Sequence, residues 1–148
     1  MDKDVLVALK GLQFTMGDNE EQRLETILPA QYYKKNNSHY VIYDEVMEGF
    51  DDTTKNMIKF RDSLVEVTKK GLINVHMVFE ENKMNITNYA TPFGDIMIGI
   101  DTDEVQVQEQ ENRISINVSY SLEANYEHMA DCRFEIKITD RGGACLEL

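Results

Sequence analysis

The chain has three histidines, a residue type that often binds metal ions, and their spacing argues against that role here. A metal site needs several ligands that converge at roughly 2 Å from the ion. His39, His76 and His128 lie on separate segments, without the HxH or HxxxH spacing that places two imidazoles side by side. We therefore expect no metal site and no cofactor.

Carboxylates are numerous, but no motif of a known catalytic machinery accompanies them. Asp101 and Asp103 resemble part of a calcium loop, yet the glycine and the terminal glutamate of an EF-hand are missing. The chain has no GxSxG nucleophile elbow and no glycine-rich phosphate loop. We expect no catalytic residues and no enzymatic activity. The acidic residues of predicted strands, which we expect to face solvent, include Glu45, Glu66, Glu80 and Glu135.

The charge balance excludes several classes of partner. Acidic residues outnumber basic ones 27 to 15, which gives a net charge of −12. Nucleic-acid-binding proteins concentrate positive charge because contacts with phosphate dominate their affinity, whereas the basic residues here are scattered. The same charge argues against anionic membrane surfaces. The absence of a signal-peptide core and of an apolar run of about 18 residues favours the cytoplasm.

The spacing of the two cysteines matches neither a disulfide framework nor the CxxC pattern of a zinc knuckle. Cys132 shares one face of a predicted strand with Phe134, Ile136 and Ile138, so we expect it to be a small buried apolar residue. Cys145 lies in the glycine-rich end of the sequence, where we expect a free thiol.

Apolar and polar residues alternate in segment after segment, which predicts the elements that position these side chains. Residues 114–122 alternate throughout, and side chains on a strand point to opposite faces with period two. About ten such segments follow one another through short connections. Residues 18–28 are the one candidate helix, with Asp18 as its cap and Pro29 as its end. Because this helix would be barely two turns long, we expect at most one turn that leads into a strand.

Ten antiparallel strands must hide their edges, and a closed up-and-down barrel does so most completely. A two-sheet sandwich is the alternative. Tight hairpin turns such as residues 36–38 favour the meandering barrel. We therefore predict an all-β, antiparallel up-and-down barrel of about 8–10 strands. It forms a single domain over residues 1–148, with residues 140–148 as a C-terminal tail.

Two glycines are predicted to interrupt the strands. Gly99, opposite the alternating residues Ile96, Ile98 and Ile100, is a candidate bulge or corner. Residues 105–108 are read as a further, separate strand. Pro92 and Gly94 mark a break because neither fits comfortably in a central ladder.

Several segments occur in an order that resembles one protein family. They are YYKKNNSHYVIYDE (32–45), the threonine pair 53–54, VTKKG (67–71), MVFEENK (77–83), YATPFGD (89–95) and ISINVSYSL (114–122). On these motifs, which cover nearly the whole chain, the sequence resembles the YwiB-like family of uncharacterised bacterial proteins. The resemblance implies a calycin-like barrel, related in shape to lipocalins and fatty-acid-binding proteins, in the bacterial cytoplasm. It implies no activity and no catalytic residues.

The barrel interior or its mouth is the candidate ligand site. A barrel of about eight strands is either just filled by its side chains or able to hold one small ligand. The turn at residues 91–95 either forms a pocket rim or is a hairpin corner that needs glycine at a positive φ. The candidate ligand-binding residues are Tyr43, Phe60, Lys69, Met77, Phe79, Tyr89, Thr91, Phe93, Tyr120 and Phe134.

Two functional hypotheses follow from this reading. The first is a non-enzymatic binding module that receives a small, largely apolar ligand in or at the mouth of the barrel. The second is a protein–protein interaction module with a filled core, which uses an exposed strand edge or its acidic surface to bind a second copy of the chain or another protein.

Overall fold

Ten antiparallel strands make up the protein in the computed structural model, which describes residues 3–11, 25–46, 49 and 51–141. Residues 18–24 of the candidate helix, Cys145 and the tail beyond Arg141 lie outside the described residues. The strands are β1 (Asp4–Lys10), β2 (Glu25–Lys35), β3 (Ser38–Val46), β4 (Thr53–Arg61), β5 (Leu64–Lys70), β6 (Val75–Glu80), β7 (Lys83–Thr91), β8 (Gly94–Glu109), β9 (Arg113–Ala124) and β10 (Glu127–Asp140). Within the described residues, no helix has the length and apolarity needed to cross a membrane.

The strands form one sheet in which sequence neighbours pair, and β1 pairs with β10 to curl the sheet around. The order is β6-β5-β4-β3-β2-β1-β10-β9-β8-β7. The terminal strands β6 and β7 meet at the turn of residues 81–82 and at one bridge between Asn74 and Ala90. Among the described residues no ladder joins them between these points, so the barrel is nearly closed. The predicted up-and-down barrel is confirmed.

The alternating residues face a common interior, as predicted. Three aromatic rings fill its centre: Phe79 makes edge contacts with Tyr120 and Phe134 at centroid separations of 5.0 and 4.9 Å. Such edge-to-face pairs add to the stability gained from burial alone. The inward-facing side chains of the alternating segments, all of which are buried, include Tyr43, Ile58, Phe60, Met77, Phe79, Ile98, Ile116, Val118, Tyr120, Phe134 and Ile136.

The tight turns use residues that tolerate left-handed backbone. Asn36 and Asn37, between β2 and β3, have φ values of 52° and 66°, as type I′ hairpins require. Gly94, at the start of β8, has a φ of 132°. The turn at residues 91–95 is therefore the predicted hairpin corner between β7 and β8.

Three local predictions are corrected by the structure. Residues 96–100 and 105–108 belong to one continuous strand, β8. Its register shift lies between Thr102 and Glu104 and not at Gly99, where the backbone stays in register with both neighbours. Asp140, assigned to the tail, is the last residue of β10 and pairs with Val5.

Pro29 lies inside β2, where it pairs with Leu6 of β1, rather than ending a helix. Proline is excluded from a strand that bonds on both sides because it lacks an N–H donor. The pairing of β2 with β3 covers only Gln31 to Lys35. Among the described residues Pro29 therefore has no ladder partner on the β3 side of β2, and its missing donor breaks no bond there.

Candidate functional site

Consecutive hairpins bring a buried polar group together at one end of the barrel. The register pairs Glu45 with Thr54 and Asn56 with Lys69, so all four side chains, which we call the Lys69 cluster, lie on adjacent strands. The Nζ of Lys69 is 3.0 Å from the Oε1 of Glu45, to which the Nδ2 of Asn56 also donates at 3.2 Å. Lys69 is only 5% exposed. A buried ammonium is stable only when paired in this way.

Two tyrosines lie beside the Lys69 cluster. Burial raises the pKa of Tyr43 and of Tyr89, and the negative charge of Glu45 raises both further. Both phenols are therefore protonated at neutral pH.

The Oδ1 of Asn56 is buried and has no hydrogen-bond partner among the described residues, so one acceptor of the Lys69 cluster remains available.

Replacing Lys69 with methionine is expected to lower the free energy of unfolding by about 2 kcal/mol, because the part-buried carboxylate of Glu45 loses its cation. Adding Glu45→Gln, which removes the orphaned charge, should recover part of this loss. Lys137→Met is the matched control, since Lys137 pairs with Glu135 at the surface and should change stability by less than about 0.5 kcal/mol. Urea unfolding followed by circular dichroism measures all three. Equal effects at Lys69 and Lys137 would contradict the buried pairing.

A cleft of about 440 Å³ opens at the opposite end of the barrel. It lies between the end of β2 and the turn that joins β8 to β9. We call it the His39 cleft, after the imidazole against its wall. Its lining residues are Lys3, Tyr32, Tyr33, Lys34, Glu109, Gln110, Glu111 and Ile114.

His39 connects two residues of the cleft. Its Nδ1 is 2.7 Å from the Oη of Tyr32, and its Nε2 is 3.5 Å from the Oε1 of Glu109. The imidazole is buried and stacks on the ring of Phe60 with 4.7 Å between centroids, because β3 and β4 pair these two residues. Lys34 lies 4.0 Å from the Oε2 of Glu109.

Burial lowers the pKa of His39 below its usual value of 6.5, an effect that Lys34 adds to and that Glu109 and Asp62 oppose. The folded protein thus holds His39 neutral where the unfolded chain begins to protonate it. The free energy of unfolding should fall as pH drops below about 6.5 and level off below the pKa of the folded state. Urea unfolding between pH 5 and 8 measures this, and His39→Gln should remove that part of the slope. His128→Gln, at an exposed side chain, should keep it.

A family model described as Domain of unknown function (DUF1934) matches residues 7–136. The chain belongs to the DUF1934 family. It is 26% identical over 128 residues to the uncharacterized beta-barrel protein YwiB of Bacillus subtilis (strain 168), which covers 85% of this chain and 86% of YwiB. Its fold is similar to the crystal structure of the ywiB protein from Bacillus subtilis, with a TM-score of 0.77 at 20% identity over 93% of this chain and 92% of that one.

Membership of the DUF1934 family agrees with the resemblance found in the sequence motifs. The structure shows how two of these motifs, VTKKG (67–71) and the threonine pair 53–54, contact each other. Gly71, the last residue of the VTKKG segment, lies against the backbone of Thr53 and Thr54. The Oγ1 of Thr54 accepts from the N–H of Leu72, and the Nδ2 of Asn74 donates to the carbonyl of Gly71. These contacts hold residues 71–74 against β4 at Thr54, a member of the Lys69 cluster.

The ten predicted ligand-binding residues separate into three groups in this DUF1934 chain. One group fills the barrel centre: Phe60, Met77, Phe79, Tyr120 and Phe134. Tyr43, Lys69 and Tyr89 come together around Glu45 at the Lys69 end. Thr91 and Phe93 lie in the β7–β8 turn, where Thr91 Oγ1 donates to the carbonyl of Gly94 and Phe93 is 87% exposed. The role of all ten residues in ligand binding stays a prediction.

The His39 cleft was missed from the sequence. One signal was available, because His39 has the same strand parity as the inward residues Val41 and Tyr43. Nothing in the sequence pattern connects His39 to Glu109, which lies on β8, far along the chain. Within the described residues, no group of three or more His, Cys, Asp or Glu side chains could hold a metal ion.

Cys132 is half-buried, and burial raises the pKa of its thiol. Its strand neighbours Phe134, Ile136 and Ile138 are fully buried. Cys132 thus lies at the margin of the core, in contact with Tyr120, and its thiol is protonated at neutral pH.

Proposed function

We propose that this protein is a non-enzymatic binding module that holds a small, largely apolar ligand at one mouth of the barrel, in the His39 cleft. The observation that carries the proposal is the contrast between a barrel centre filled by aromatic rings and a cleft of about 440 Å³ at the mouth. Small-molecule sites have volumes of roughly 300–1,000 Å³ and combine apolar walls with a few polar groups. Tyr32, Tyr33 and Ile114 supply such walls.

The cytoplasmic setting and the calycin-like relationship belong to the same proposal. Both are supported by the resemblance in motifs, and the barrel architecture is compatible with a calycin-like fold. In this view the ligand enters from the mouth and does not reach the packed centre.

Native mass spectrometry of freshly purified protein, followed by a thermal-shift panel of lipids and small metabolites, tests the proposal. The position of a bound compound is read from amide chemical shifts. Gln110→Trp places an indole in the cleft from an exposed turn position and should weaken binding at least about tenfold. Gln106→Trp, on the outer face of β8, is the matched control and should not. No co-purified compound together with no hit in the panel would contradict the proposal.

A second candidate function is association with another copy of the chain through the outer face of β7 and β8. Met84, Ile86 and Met97 are exposed on these paired strands, beside the unpaired seam between β6 and β7. Exposed apolar groups of this kind occur at protein interfaces. Sedimentation analysis should then detect a dimer that Ile86→Lys dissociates, and a monomer at every concentration would exclude it.

A further inference from the structure

We propose that the ligand of the His39 cleft is a small organic amine, whose ammonium group donates to the phenolic oxygen of Tyr32 and to the carboxylates of the β8–β9 turn. This inference rests on the proposed function, because it names the chemical class that the same site would accept. It comes from the direction in which the hydrogen bonds around His39 must run.

A neutral imidazole has one donor nitrogen and one acceptor nitrogen. The Nε2 of His39 faces the carboxylate of Glu109, and a carboxylate can only accept, so the proton belongs on Nε2. The Nδ1 is then the acceptor, and the hydroxyl of Tyr32, 2.7 Å away, must donate to it. Burial and the charge of Glu109 raise the pKa of Tyr32, which keeps that proton in place.

The consequence is that Tyr32 offers the cleft only the lone pairs of its oxygen. Its single proton is already committed to His39, so a ligand atom that contacts this oxygen must be a hydrogen-bond donor. Glu109 and Glu111 line the same cleft and also accept only. Lys3, Lys34 and Gln110 line it as well and bring donors of their own, of which Lys34 lies against Glu109. An ammonium group, with three donors and no acceptor, matches the acceptors of Tyr32 and the two carboxylates.

The charges around the cleft point the same way. Lys34 lies 4.0 Å from Glu109, and the other two charged residues that line the cleft are Lys3 and Glu111. The local sum is therefore close to zero, and the net charge of −12 on the whole chain attracts cations and repels anions at a distance.

The apolar body of the amine has a fixed aromatic surface to lie against. Tyr33 is 42% exposed, and its ring stacks on Tyr40 with 4.7 Å between centroids and 8° between planes. Because the stack fixes the Tyr33 ring and Tyr33 is one of the residues that line the cleft, we expect this ring to offer the amine apolar contact and a cation–π interaction.

Protonation of His39 reverses this arrangement. Both nitrogens of the charged imidazole donate, so Tyr32 must accept from Nδ1 and turn its own proton away. This uses one lone pair of the Tyr32 oxygen and brings a proton and a nearby positive charge against the ammonium group. Tyr32 and Lys34 from β2, Glu109 from β8 and Asp62 from the β4–β5 turn are the titratable groups that face His39. Amine affinity should therefore fall as pH drops through the lowered pKa of His39 in the folded protein.

Three probes with the same aromatic body separate the alternatives: 2-phenylethylamine, 3-phenylpropionate and 2-phenylethanol. We expect the amine to bind the cleft at least about tenfold more tightly than the other two at pH 7.5, as a charge-assisted hydrogen bond provides. Amide chemical shifts locate the site and give the affinities. Tyr32→Phe, which deletes the acceptor, should abolish the preference.

Glu109→Gln, at a half-exposed side chain, is a second variant that leaves the barrel intact and should also reduce the preference. In His39→Gln the loss of amine affinity on acidification should disappear. Preferred binding of the propionate, or equal binding of all three in the cleft, would overturn the inference and leave the proposed function standing. No perturbation of the cleft by any of the three would overturn the inference, and the metabolite panel then decides the proposed function independently.

Discussion

Replacing Gly71 with alanine is expected to destabilise the barrel by roughly 3 kcal/mol, because the backbone conformation and the space around it both exclude a side chain. Gly71 has a φ of 149°. A Cβ at this position would lie 2.4 Å from the carbonyl oxygen of Thr53 and 2.8 Å from the Cα of Thr54. Both are backbone atoms, which cannot rotate away, so β4 itself would have to move.

Gly94→Ala is the matched control for this prediction. Gly94 also has a positive φ, 132°, but no atom lies within 4 Å of the position that its Cβ would occupy. Alanine there should cost only the conformational strain, about 1 kcal/mol. Urea unfolding of both variants isolates the steric part. Losses of equal size would show that the contact with Thr53 and Thr54 relaxes easily.

Truncating Phe79 to alanine is expected to cost about 3–5 kcal/mol, since it leaves a cavity in the centre of the barrel. Phe79 is fully buried and contacts Tyr120 and Phe134 edge to face. The Phe79→Ala variant therefore loses the free energy of burying the ring, its dispersion contacts and two aromatic pairs. The measurement is again the free energy of unfolding.

Phe93→Ala controls for the general effect of removing a phenylalanine. Phe93 is 87% exposed in the β7–β8 turn, so its truncation should change stability by less than about 0.5 kcal/mol. A loss below about 1 kcal/mol for Phe79→Ala would mean that the centre is loosely packed. The barrel interior would then again be a candidate ligand chamber, in competition with the His39 cleft.

Period-two alternation was enough to predict the strands, their inward faces and their pairing with sequence neighbours. Met77 and Phe79, for example, were assigned to the interior on parity alone, and both are fully buried. Parity succeeds because each strand has one dry face, and a shift by one residue would turn every apolar side chain to water. The same rule failed to locate the register shift at Thr102–Glu104, since a bulge changes parity without any residue that marks it.

The two polar sites differ in how far they were predictable. Lys69, Tyr43 and Tyr89 were each selected as candidates, and the structure brings all three to Glu45. Strands β3 to β5 are joined by consecutive hairpins, so the register between neighbouring strands places Lys69 and Tyr43 with Glu45. The His39 cleft depends instead on Glu109, whose position relative to His39 follows only from the closure of the sheet.

The sequence by itself determined the class of this protein, the meander of hairpins, the residues that face the core and the family to which the chain belongs, because each of these depends on local alternation or on short motifs. Tertiary structure alone decided that the core is filled, that the barrel has a seam between β6 and β7, and that a cleft opens beside His39. The physical reason is that side-chain volume and contacts between distant strands are set when the sheet curls, and neither is encoded in the period of any single strand.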